Sequence, residues 1–301
     1  MIIRKLRIFS QNVRKNSLIT NVILETLSHF NIILIQELPW SEIWKVPSST
    51  NCDSEPLTGT CHHPNWIAFA RPPSNCNDSP RAISYINIRL SPLRFLLHKD
   101  IFDHHNINLI SFINNGSCHY ILNIYSDSSH SALKYLKDTE VNISNVLLIT
   151  GDFNIRDSLW DPSFPHYSSI SDNLILIANS FGLTLSKPTN PGPTRFSDTN
   201  RESNSVIDLM FLRCNSVELD NHSILSDSRL SSDHAPLSIE IPIGDEIIHS
   251  SRCIIPPRSE QEKGFIEDII SNLKYWRHYL SWSYSQPGWV HHWKNVVQEY
   301  K

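Results

Sequence analysis

The sequence predicts an α/β fold of two β-sheets packed face to face with helices outside. Three observations carry this. Short β-rich runs outnumber helical stretches, predicted strands flank each helix on both sides, and the pattern stops near Pro242. With 301 residues, 40% hydrophobic and 19% charged, the chain has room for one large domain plus an appendage.

Residues 3–13 (IRKLRIFSQNV) alternate apolar and polar side chains, which predicts a strand. Asn16-Ser17 offers an N-cap for an amphipathic helix bearing Leu18, Val22, Leu24, Leu27 and Phe30. The apolar run over 32–37 predicts a buried strand ending in Gln36-Glu37. Residues 38–65 are rich in Pro, Ser, Thr and Asn and read as a long loop. Strands are expected over 66–71, 81–90, 107–114 and 119–126, and a short helix over 131–138. An apolar run at 146–150 breaks at Gly151; a helix over 171–181 precedes a strand at 183–185. Strands over 206–213 and 235–243 complete the pattern. Beyond Gly244 the composition changes. Phe265, Ile266, Ile269, Ile270 and Leu273 recur at helical spacing, followed by Trp276, Trp282, Trp289 and Trp293. The expected division is therefore a globular domain over 1–243 and a linker with an amphipathic helical tail over 244–301.

Net charge is -4 and the sequence pI about 6.4. Proteins that bind nucleic acid mainly by neutralising phosphates are usually basic, so the overall charge does not point to DNA or RNA. A metal site needs carboxylates, however, and its cation inverts the local sign. The N-terminus, MIIRKLRIFSQN, has charges among its apolar residues and no uncharged signal-peptide core. No apolar run reaches membrane-span length. Six cysteines without a C-x-x-C pair suit reduced thiols in an intracellular protein. Cys52, Cys61, His62, His63 and Cys76 crowd one polar loop, but their spacing fits no common zinc pattern and no zinc site is assigned.

Five segments carry chemistry. In Gly151-Asp152-Phe153-Asn154, glycine permits a sharp turn, and an acid and an amide two residues apart point the same way on extended chain. One can orient a water while the other donates to a phosphate oxygen; an ordinary turn would use the same residue types. Ser232-Asp233-His234-Ala235-Pro236-Leu237 opens the last strand with a histidine beside an acid. Among 15 histidines, it is the one so placed. In SVIDLMF, Asp208 lies in an apolar strand, where an unpaired charge is costly, so a histidine partner is expected; the alternative is an acid at a strand end facing solvent. Asn12 and Glu37 each end a predicted strand, and Glu37 is a hard oxygen ligand suited to Mg²⁺ or Mn²⁺.

Taken together, the segments FSQNV, LIQE, LNIYSD, GDFN, SVIDLMF and SDHAPL resemble, in order, those of the endonuclease/exonuclease/phosphatase superfamily. The match spans about residues 3–243. Within that superfamily the chain looks most like the endonuclease domains of fungal non-LTR retrotransposons, by Gln11-Asn12-Val13-Arg14-Lys15, Trp160 and Pro193-Thr194-Arg195. The resemblance implies a four-layer sandwich with two central mixed sheets. It implies Mg²⁺ or Mn²⁺ held by Glu37, assisted by Asn12 and Asp233, and Asp152 orienting or deprotonating water. Asn154 would hold a non-bridging phosphate oxygen, and Tyr125 would face the phosphate. His234, oriented by Asp208, would stabilise the transition state as general acid or as electrostatic donor. DNA is the implied partner, with no membrane and no obligate protein partner, and nuclear location if the DNA is chromosomal; no clear basic import run is visible. The tail would begin a link to a missing reverse transcriptase.

Two departures stand out. Ser126-Asp127-Ser128 replaces the family's small residue, Pro and Asn after the tyrosine, and Arg156 stands where several relatives carry histidine. An acid at Asp127 is expected to weaken binding to DNA. The resemblance favours metal-dependent DNA nicking. The same site would serve an abasic-site nuclease, an exonuclease or deadenylase, or a phosphatase. A catalytically silent binding module is the reading of a different class, which the intact residue set argues against.

Overall fold

The computed structural model describes residues 2–39, 43–46, 57–60, 63–71, 79–139, 143–197, 203–213 and 222–247, with 263, 266, 267 and 270. The chain divides into two units, Met1–His249 and Ser250–Lys301. In the second, the four described residues are helical, three of them within the stretch whose spacing predicts a helix; the tryptophans of the tail lie outside the described residues. No described helix is long and apolar enough to cross a membrane.

The first unit begins with β1 (Ile2–Asn12), α1 (Ser17–Thr26) and β2 (Ile32–Gln36). The Asn16 side chain accepts from the Leu18 and Ile19 amides, capping α1 as the sequence predicts. Next come β3 (Ile43–Val46), β4 (Leu57–Thr60), β5 (Trp66–Phe69), β6 (Ala82–Asn87) and β7 (Leu96–Leu97). The expected loop over 38–65 therefore contains a small antiparallel pair, β3 on β4. Two four-residue strands among turn-forming residues leave too short a period-2 pattern to read. The strand expected over 81–90 ends at Asn87, whose side chain accepts from Arg89 N and starts a 3₁₀ turn over Ile88–Leu93.

The chain continues through β8 (Ile107–Asn114), β9 (Ser117–Tyr125), α2 (Ser131–Asp138) and β10 (Val146–Asp152). It closes with α3 (Ser169–Ser180), β11 (Leu183–Leu185), β12 (Asp208–Arg213), β13 (Ser223–Ile224) and β14 (Leu237–Ile247). Helix α3 starts ahead of the predicted 171 because Ser168 caps it, accepting from Ile170 N at 3.3 Å.

The strands form two mixed six-stranded sheets, ordered β13-β14-β1-β2-β6-β5 and β11-β12-β10-β9-β8-β7. Each contains one parallel pair, β1 with β2 and β9 with β10. Side-chain alternation assigns the faces. Ile8, Leu34, Ile86, Ile121, Leu148, Met210 and Ile239 share the core between the sheets. Their neighbours Phe9, Ile33, Ile35 and Ile83 pack outward with Ile19 and Ile23 of α1. Leu122, Ile149, Leu209 and Phe211 pack on the opposite side with α2 and α3. The result is four layers: helix, sheet, sheet, helices.

Candidate active site

The inter-sheet face turns polar toward one end. Continuing the parity of Ile8, Leu34, Ile121, Leu148 and Met210 places Ser10, Gln36, Asn123 and Thr150 on that face, then Asn12, Tyr125, Asp152 and Asp208. Asn123 Nδ2, on β9, donates to Ile35 O at 3.0 Å and Ile83 O at 2.8 Å in the other sheet. Gln36 Nε2 returns a bond to Asn123 Oδ1 at 2.6 Å and reaches Ser10 Oγ at 3.1 Å. This buried layer ties the sheets together directly beneath the site.

Asp152 ends β10 opposite Asp208, the first residue of β12. Gly151, between Thr150 and Asp152, lies inside the strand, so it is not the turn that the sequence predicts. Its φ is +147°, and a Cβ there would sit 1.8 Å from the Ile124 carbonyl oxygen of β9. Glycine is required by that close approach of two backbones. Asp152 is 1% exposed. Its Oδ2 accepts from Asn12 Nδ2 at 2.8 Å, and its Oδ1 from the Asn154 amide at 2.9 Å.

Asp208 is at a strand end, yet buried. Its Oδ2 and Oδ1 lie 2.9 and 3.1 Å from His234 Nδ1. The remaining ring nitrogen, Nε2, is 3.9 Å from Asp152 Oδ2 and 3.8 Å from Asp233 Oδ1. Burial works against charge on His234, but the Asp208 carboxylate, by charge and hydrogen bond, raises its pKa, with Asp152 and Asp233 adding to it. Burial and then the Asp208 charge raise the Asp152 carboxyl, against the pull of His234 and the bonds from Asn12 and Asn154.

Glu37 follows β2 in a left-handed conformation, φ 49°, half-buried. It is hydrogen-bonded to Tyr125, whose pKa is raised by burial and then by Glu37. Arg81 lies over the same ring, 5.4 Å from its centroid. Asn154 is left-handed too, at φ 52°, and its Nδ2 donates to Ser126 O at 2.7 Å and Asp152 Oδ2 at 3.2 Å. Asp233 Oδ2 meets Arg14 Nη1 at 3.1 Å and Arg195 Nε at 3.6 Å.

All eight residues singled out from the sequence thus join one hydrogen-bonded or charge-coupled cluster. Asp152, Asp208 and His234 offer ligand atoms within 4.8 Å of one another. That trio is better described as an Asp–His pair facing a second acid, because Nδ1 is already occupied by Asp208. The donors that suit a hard divalent cation are the Glu37 carboxylate and Asn12 Oδ1. Two buried carboxylates beside one imidazole leave negative charge that a cation would offset.

The sequence did not flag the residues that hold this cluster in place. Ser232 Oγ donates to Asn12 O at 2.8 Å and accepts from His234 N at 3.1 Å. Gln11 Nε2 donates to His234 O at 3.0 Å. Thr194 Oγ1 accepts from the Ile207 and Asp208 amides, both at 3.0 Å. Each stands inside a segment that carried the resemblance, but a hydroxyl or amide that bonds only backbone has no charge or spacing to mark it. Asp127 also finds a structural use. Burial would raise its pKa, but bonds from Ser131 and Ser129 at the start of α2 hold it well below the usual range.

A family model described as endonuclease-reverse transcriptase matches residues 119–238. The endonuclease domain of TRAS1, a telomere-specific non-LTR retrotransposon, superposes with a TM-score of 0.57 at 16% identity, over 78% of this chain and 98% of that one. An endonuclease/exonuclease/phosphatase family protein from Leptotrichia buccalis gives 0.50 at 11%, over 80% and 100%. This chain has the endonuclease/exonuclease/phosphatase fold. The AP endonuclease LMAP from Leishmania major shares that fold at a TM-score of 0.53 and 10% identity, over 79% and 88%. No curated protein matches the sequence. The endonuclease/exonuclease/phosphatase fold accounts for the two parallel pairs at the sheet centres, whose ends supply Asn12, Gln36-Glu37, Tyr125 and Asp152.

Proposed function

We propose that this chain is a metal-dependent phosphodiesterase that nicks DNA. The observation that carries the proposal is the buried Asp152 facing His234 Nε2, with His234 tied through Nδ1 to Asp208. A carboxylate with raised proton affinity is a stronger base, and Asp152 is aimed by Asn12 and Asn154 to take a proton from an attacking water. An imidazole kept protonated by Asp208 presents Nε2–H to a phosphate oxygen and stabilises the charge that grows there. Glu37 and Asn12 would hold Mg²⁺ or Mn²⁺, which would polarise the phosphate and offset leaving-group charge. Tyr125, bonded to Glu37, orients that carboxylate. The likeness to the TRAS1 endonuclease domain supports DNA as substrate and a retrotransposon origin.

The test is nicking of supercoiled plasmid in Mg²⁺ with and without EDTA, by wild type, Asp152→Ala and His234→Ala. Wild-type nicking is expected, abolished by EDTA and reduced at least about 100-fold in either variant. Equal nicking by the variants, or none by wild type, overturns the proposal for DNA. Hydrolysis of abasic DNA, RNA or a phosphoinositide by a wild type inert on plasmid would transfer the same site to that substrate.

A further inference from the structure

Asp233 belongs to a second arrangement beside this cluster. Its side chain is 6% exposed, whereas those of its partners Arg14 and Arg195 are 51% and 37% exposed. The carboxylate is buried and the guanidinium groups it holds reach solvent. Both arginines stand on fixed backbone. Arg14, left-handed at φ 50°, donates its amide to Asn12 Oδ1 at 2.8 Å, and Lys15 N bonds Glu37 O at 2.7 Å. Arg195 exchanges backbone bonds of 2.8 and 2.9 Å with Ser205. Its neighbours are zipped to the His234 turn: Ala235 N to Thr194 O and Phe196 N to Asp233 O, both at 2.7 Å. Three distant segments therefore bring two positive groups and one buried negative group together. Their sum is positive, on a chain whose net charge is -4. The remaining oxygen, Asp233 Oδ1, is 3.8 Å from His234 Nε2, so the pair adjoins the histidine that faces the substrate.

We propose that Asp233 acts as a positioning residue that holds Arg14 and Arg195 as a two-guanidinium clamp for backbone phosphates of the bound DNA. The proposal rests on the nuclease reading above and replaces the metal-assisting role that the resemblance implies for Asp233. Guanidinium forks match phosphate oxygens in pairs, and a shared carboxylate sets them before DNA arrives, which lowers the ordering cost on binding. Both guanidinium groups meet Oδ2, which leaves that oxygen a poor donor to a third cation.

Binding of a fluorescein-labelled DNA duplex to the full chain, followed by anisotropy in EDTA over a range of salt, tests this without the metal. Arg14→Ala and Arg195→Ala should each bind about tenfold more weakly and lower the salt slope by about one. Arg14→Lys should keep the slope and lose affinity. Asp233→Asn removes a negative charge, yet should weaken binding; in Mg²⁺ it should raise KM without changing the metal concentration needed for half-maximal nicking. Thermal melts identify variants that fold, with Asp233→Glu read in place of Asp233→Asn if the latter does not. Tighter DNA binding by Asp233→Asn, a tenfold higher Mg²⁺ requirement, or arginine variants that bind like wild type would each overturn the clamp. If wild type nicks plasmid while the arginine variants bind normally, the clamp alone falls. If wild type neither binds nor nicks, the nuclease reading falls first.

Discussion

At the residue scale, chemistry is concentrated in the bond between His234 Nδ1 and Asp208. It engages Nδ1 and leaves Nε2 toward Asp152 and Asp233, and its charge raises the ring's pKa against the effect of burial. Asp208→Asn preserves shape but removes that charge. Nicking by this variant should fall about 100-fold or more, and the His234 pKa, followed by NMR in metal-free protein, should drop. An unchanged histidine pKa with a large loss of rate would assign Asp208 some other role. The sequence made Asp208 conspicuous because an acid stood among five apolar residues. It could not say which histidine would meet it, since His234 is 26 residues away along the chain.

At the element scale, a buried histidine beside the short β13 ties it to Ser186 and Thr189. His222 is 2% exposed, its Nδ1 is 2.9 Å from Ser186 Oγ, and its backbone oxygen accepts from Thr189 N at 2.8 Å. Burial lowers its pKa from 6.5 to about 4. A histidine whose folded pKa is depressed binds protons more readily when unfolded, so its contribution is present above pH 6.5 and lost as pH falls toward 4. The loss should approach roughly 3 kcal/mol at the acid end. Denaturant unfolding at pH 7 and pH 4.5, on wild type and His222→Gln, checks this. The variant should lose less stability over that interval, and equal losses would place the acid sensitivity elsewhere. Element boundaries show the same dependence on side chains. Ser168 moved the start of α3 and Asn87 ended β6, each through one bond to a backbone amide.

At the scale of the whole molecule, the two sheets are joined by a polar layer as well as by the apolar core. Asn123 alone supplies two donors across the gap and accepts from Gln36. Replacing it with alanine strands two buried carbonyls and an amide, which should cost roughly 3 kcal/mol. The site lies directly beyond this layer, so Asn123→Ala should also slow nicking while leaving every proposed ligand in place. Chemical unfolding and plasmid nicking together measure both effects, and a stable, fully active variant would show that the layer is dispensable.

By itself the sequence pointed to two sheets with helices outside, since continuous apolar runs such as Ile32–Gln36 can bury both faces only between a helix layer and a second sheet. It also picked out the members of this cluster, Asn12, Glu37, Asp152, Asn154, Asp208, Asp233 and His234 as polar residues on or at the ends of predicted strands and Tyr125 through the resemblance. Only the tertiary structure decided their partners: His234 for Asp208, Asn12 for Asp152, and Arg14 with Arg195 for Asp233. It alone showed why Gly151 must be glycine, and that Asp127 accepts from the Ser131 amide at the start of α2. The physical reason is one of range. Alternation and capping act over a few neighbouring residues, whereas the pairing of charges depends on how two sheets meet.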